Sequence, residues 1–112
     1  PHEVRGRWEK RLERAANWIA SVDWATHGTI NYPVAAAAAL ASAARALDKP
    51  EWLPLAQKWA HWSRDFFLPD GILWGEGAKA PTPRGVYTVD ALYNLEESLP
   101  NLALYAQITG DE

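Results

Sequence analysis

The 112-residue chain contains no cysteine and no methionine. Without cysteine there is no disulfide framework and no thiolate metal site, and the redox compartment stays open. Without methionine the chain lacks a start residue of its own, and it stops at "TGDE", which reads as the beginning of a new element. The expectation is an excerpt of a longer polypeptide, with localisation unknown. A long apolar run is missing too. The uncharged, mostly apolar stretch through 32–44 is too short and too rich in alanine to span a bilayer, so no membrane partner is expected. No secretory signal opens the chain. An excess of positive charge is also absent: 11 Lys and Arg face 14 Asp and Glu, which argues against a nucleic-acid surface. Five of the basic residues fall in the first fourteen positions, interleaved with Glu, a pattern that reads as a solvated helix face rather than a basic patch.

What is present is a globular composition, 48% apolar and 22% charged, in a length that fits at most one domain. Residues 4–22 place Val4, Trp8, Leu12, Ala15, Ala16, Ile19 and Val22 at helical spacing with charge opposite. "DWATHGTIN" then reads as a loop, with Asn31 as a cap before Tyr32-Pro33. The run over 33–47 carries no charge until Arg45, and a helix apolar all round must be buried all round. "DKP" makes a tight turn into an amphipathic helix over 50–67. Four glycines and several prolines mark a long loop over 68–93, and the last helix, 95–108, stops at Gly110.

A faint internal repeat supports this division. Leu40 aligns with Leu102 and Ala44 with Ala106, an offset of 62 residues, and a short turn follows each. The pattern predicts an all-α fold of antiparallel helical hairpins, with the short turns on one face and the long loops, 23–31 and 68–93, meeting on the other. Two hairpins are too few to bury the 33–47 helix on every side. Six units at this offset would come to roughly 370 residues and could close into a ring, so the chain reads as about a third of an (α/α)6 toroid, with an open solenoid as the alternative.

The candidate site residues lie at the loop mouth. Asn94 with Glu97 fits a capping box, and Glu96 falls in the first turn, where the helix dipole favours negative charge. Asp90 precedes the helix between apolar neighbours and in no obvious capping register, and is the candidate general acid, with capping of a short preceding turn as the alternative. Seven tryptophans exceed ordinary usage. Trp8, Trp18, Trp52, Trp59 and Trp62 read most simply as core. Trp24, Trp74 and Tyr87 lie in loops, where flat aromatic faces could stack on sugar rings. Arg84 could hold a carboxylate with its guanidinium, His27 could donate to a substrate, and Glu76 is a second possible acid; each is equally readable as a solvated loop side chain. His2, His27 and His61 lack metal-ligand spacing, "GEGAK" lacks the ending of a phosphate loop, and no serine elbow occurs. No cofactor is expected.

At "VDALYNL…LPNLALYAQITGD" the sequence resembles the unsaturated glucuronyl and rhamnogalacturonyl hydrolases, which are (α/α)6 toroids. On that resemblance Asp90 falls on the general acid/base and Asn94-Leu95 on the family's Asn-Leu. The implied reaction is protonation of the double bond of a 4,5-unsaturated uronic sugar, followed by addition of water. The chain departs from the pattern at "EESL", four residues inserted before Pro100. The hairpin pattern also matches heparinase-like lyases. The expected function is therefore a glycoside hydrolase acting on unsaturated or acidic oligosaccharides. A polysaccharide lyase on the same toroid, or a non-catalytic helical module binding a glycan or protein, is the alternative.

Overall fold

A computed structural model of the chain describes residues 1–111. It is all-helical apart from one isolated bridge between Phe67 and Leu73. Helix α1 spans His2–Ser21, α2 Asn31–Leu47 and α3 Leu53–Trp62, the last flanked by single 3-10 turns at Pro50–Trp52 and Ser63–Phe66. The final helical stretch is a short α4, Ala91–Tyr93, a π turn at Asn94–Ser98 and α5, Leu99–Thr109. The π turn falls on the stretch that departs from the resemblance, "EESL".

Helix α2 is the centre. Its alanines let α1, α3 and α5 pack closely on three sides, and Ala37, Leu40 and Ala41 have no exposed surface. Part of one flank, at Ala35, Ala39 and Ser42, is only half-buried. Two hairpins thus cover more of this helix than its composition suggested. Its start is a correction to the sequence reading: Asn31 is the first helical residue rather than the cap, and its Oδ1 accepts from Thr29 Oγ1 at 2.6 Å. Helix α2 ends where Asp48 turns left-handed at φ 52° and the Lys49 amide bonds the Ala44 carbonyl at 2.9 Å, the closure a helix uses to satisfy its last carbonyls. Helix α5 also ends on a left-handed residue: Gly110, at φ 72°, donates its amide to the Ala106 carbonyl as Asp48 does to Ala44. The repeat seen in the sequence is therefore a repeated helix stop.

Beyond that stop, Asp111 accepts from Tyr105 Oη and bonds His61 Nε2, each at 2.6 Å, tying α5 to α3. The hydrogen bond from Tyr105 holds the Asp111 carboxyl below its ordinary range, and burial together with that bond pushes the phenol up to about 12.

The tryptophans sort against expectation. Trp52 and Trp59 are buried, but Trp8 and Trp18 on α1 are each 62% exposed, while Trp24 of the loop is only 8% exposed. The cause is the position of α1, whose first three turns run past the body of the domain. Only its second half, from Ala16 through Ile19 and Ala20, reaches the core.

Candidate functional site

The two long loops meet on one face. Lys79 Nζ donates to the carbonyls of Ala25 at 2.8 Å, His27 at 3.2 Å and Trp24 at 3.5 Å, bracing the 23–27 turn from the far loop. Burial lowers the Lys79 pKa, and the nearby Asp23 charge opposes this. The Ile30 amide donates to the Gly75 carbonyl, and the Gly75 amide to Thr88. Gly75 sits at φ 101°, and a Cβ there would lie 2.8 Å from the Phe66 ring, so only glycine fits this junction.

Where α1, α2 and the π turn converge, a cleft of about 460 Å³ opens beside the half-buried flank of α2. Ala35, Ala36 and Ala39 form its floor, and their small side chains leave the space. Its aromatic walls are Trp18, Trp24, Tyr32 and Tyr93. Trp24 is pinned by Nε1 donating to the Ile19 carbonyl at 2.9 Å, and Tyr32 lies nearly parallel to it, 23° apart with centroids at 6.2 Å. Polar contact comes from Asn31 and Glu97, joined by a 3.0 Å bond from Nδ2 to Oε2.

Glu76 is buried at 8% exposure beside this cleft. Ser98 Oγ donates to its Oε1 at 2.5 Å, and Oε2 has no hydrogen-bond partner among the described residues. Burial pushes the carboxyl above its ordinary value, opposed by the Ser98 and Asn31 contacts and reinforced by the charges of Glu97 and Asp90. The folded chain therefore holds a proton on Glu76 more readily than the unfolded chain. Its contribution to stability is fully present below the ordinary value of 4.5 and is lost as pH rises through the raised native value. Glu76→Gln is expected to raise the melting temperature at neutral pH and to flatten its decline from pH 4 to 8. An unchanged pH slope in the variant would refute this account.

Of the residues singled out at the loop mouth, Trp24 and Glu97 line the cleft, Glu97 having been read as a cap. Trp74 continues an aromatic ladder with Phe66 at 4.7 Å and Tyr87 at 4.8 Å, and Tyr87 is its exposed end. His27 stands edge-on to Trp24 and bonds the Asp23 carbonyl through Nδ1 at 2.8 Å. Arg84 is exposed within a tight turn closed by the Gly85 amide on Thr82, and Glu96 is exposed on the π turn. Asp90 caps α4: Oδ1 accepts from the amides of Leu92 and Tyr93 at 3.0 and 3.2 Å. The capping box expected of Asn94 and Glu97 does not form. Asn94 is buried instead, bonding the Leu73 amide and carbonyl, both at 2.9 Å, while Glu97 turns to Asn31. Tyr32, Tyr93 and Trp18 were not among the sequence candidates. The phase of Trp18 on α1, opposite the buried edge, was the available signal.

Among the described residues no group of acidic or histidine side chains could hold a metal ion, and no helix is long and apolar enough to cross a membrane. The model of the ulvan lyase N-terminal domain matches residues 1–112, the whole chain. The chain belongs to that family. No curated protein matches, and no solved structure matches. The ulvan lyase N-terminal domain is a domain of polysaccharide-degrading enzymes, so the expected carbohydrate substrate holds at the level of a polysaccharide, and the match does not extend to the unsaturated sugars of the uronyl hydrolases. The reaction in the family's description is a lyase's, the alternative raised beside hydrolysis.

Proposed function

We propose that the chain forms a substrate-binding wall of a lyase that cuts an acidic, uronate-containing polysaccharide by elimination. The whole-chain family match carries this reading, and the aromatic cleft supports it. In such a reaction a base removes the proton next to the uronate carboxylate, the glycosidic oxygen departs with a proton, and a carbon–carbon double bond remains. No water is added. In this proposal Trp24 and Tyr32 present a flat apolar wall to a sugar ring, while Asn31 and Glu97 bond its hydroxyls. Trp74 with Tyr87, His27, Arg84 and Glu96 provide outlying contacts, Arg84 for an acidic group. Glu76 would act from beneath by holding Ser98 in place. The hairpin pair would be about a third of a toroid in the intact protein.

The direct test is to incubate the intact protein with ulvan and follow ultraviolet absorbance and reducing ends together. Both rise if the enzyme eliminates. Reducing ends without absorbance would mean hydrolysis, and loss of absorbance from an unsaturated disaccharide would restore the uronyl hydrolase reading.

Asp90→Asn isolates the role of Asp90, because asparagine caps as well as aspartate. We expect cleavage within about twofold of the parent, whereas Asp90→Ala should lose about 1 kcal/mol of stability. A large drop in turnover for Asp90→Asn at unchanged melting temperature would make Asp90 the acid after all.

A further inference from the structure

We propose that one row of side chains on α1 is an extended subsite that guides an anionic polysaccharide into the cleft. The inference rests on the reading that the substrate is an acidic polymer, and it assigns residues that reading does not use. Positions 7, 11, 14 and 18 recur at the spacing of one helix face, so Arg7, Arg11, Arg14 and Trp18 form a line, with Lys10 beside Arg14. All five are exposed. The line is about 16 Å long at the helical rise, and its last member, Trp18, is already a wall of the cleft.

Charge makes this row more than a solvated face. Two of the three acidic residues on α1 are engaged elsewhere: Glu9 accepts from Arg5 Nε at 2.7 Å, and Glu13 pairs with Lys49 of the α2–α3 turn. The third, Glu3, lies one turn before Arg7, at the far end of the row from the cleft. Arg7, Lys10, Arg11 and Arg14 have no ion-pair partner among the described residues. Four positive charges thus stand together on a chain whose net charge is -3. The Arg11 guanidinium lies 5.3 Å from the centroid of the exposed Trp8 ring, which steadies it and adds an apolar surface beside the cations. A linear polymer of sugar rings bearing negative groups matches both features: rings for Trp8 and Trp18, anions for the arginines. A neutral glycan would match only the first, and a nucleic acid would meet the repelling charge of the rest of the domain.

The test measures the affinity of the intact protein for ulvan by titration calorimetry at two salt concentrations, with uncharged dextran as control. It compares the parent with the fourfold variant Arg7→Gln/Lys10→Gln/Arg11→Gln/Arg14→Gln. We expect at least about tenfold weaker ulvan binding in the variant and a shallower salt dependence, with turnover of short oligosaccharides unchanged. Should the fourfold variant fold poorly, Arg7→Gln/Arg14→Gln carries the same comparison, with a smaller loss expected. Unchanged ulvan affinity at matched salt would overturn the proposal. So would a self-associated protein that Trp8→Ala converts to monomer with ulvan affinity retained, since the face would then be a seam between copies. The two readings fail separately. Row-dependent binding by a protein that cleaves no uronate polymer would sink the lyase assignment and leave the subsite standing.

Discussion

Asn94→Ala is expected to cost about 3 kcal/mol of folding stability, read as a fall in the urea midpoint with little change in slope. Asn94 sits in the π turn and acts as a second backbone. Its Oδ1 accepts the Leu73 amide and its Nδ2 donates to the Leu73 carbonyl, both at 2.9 Å, with a further bond to the Asp90 carbonyl. Leu73 has no exposed surface and packs with Ile30, Val34 and Phe66. Truncating Asn94 strands a buried donor and a buried acceptor, each worth roughly 1–3 kcal/mol of lost solvation. Asn94→Asp keeps the acceptor and loses the donor, so it should fall between parent and alanine. The consequence reaches the cleft, because Leu73 anchors the loop that carries Gly75 and Glu76 against Ile30 and Ser98. A loss below about 1 kcal/mol would mean that Leu73 finds other partners and that Asn94 is not the clamp.

The helical hairpins were legible in the sequence because three of the four long helices carry strong signals. Helix α2 is a long uncharged run, α1 has a clear period, and prolines open α3. The common helix stop at Asp48 and Gly110 was visible as an alignment of neighbouring residues, though only the backbone shows that both are left-handed. The meeting of the loops also followed from topology. What the sequence did not show was which side chain faces where within that mouth. Asn94 and Asp90 are four residues apart and both are plausible caps. Which one caps depends on the distant Leu73, a contact across 21 residues that no local pattern encodes. The tryptophans misled for a related reason. Helical spacing identifies a shared face, but not whether a neighbour covers it, and α1 outruns its neighbours at Trp8. Lys79 illustrates the limit from the other side: a lone lysine in a glycine-rich loop carries no signal, yet it braces three carbonyls of another loop.

Tyr32→Ala is expected to raise KM for ulvan by about 10–100-fold with kcat within a few-fold, the signature of lost binding that is shared by ground state and transition state. Tyr32 is 50% exposed, so the variant should lose little stability, and Trp24 keeps its own anchor through Ile19. The ring is held ready by Gly28. At φ 59° this glycine lies flat against Tyr32, and a Cβ there would fall 2.3 Å from Cδ2. Any side chain at 28 would therefore push the ring off the cleft, so Gly28→Ala should reproduce part of the Tyr32→Ala defect without touching the ring itself. Tyr32→Phe separates the ring from its hydroxyl. If the flat surface carries the binding, phenylalanine stays within about threefold of the parent. If the phenol makes the decisive hydrogen bond, phenylalanine falls with alanine. An unchanged KM in Tyr32→Ala would remove the cleft from the binding path while leaving family membership intact. Substrate contact would then have to come from the Trp74–Tyr87 ladder on the other loop, where Tyr87→Ala is the corresponding experiment.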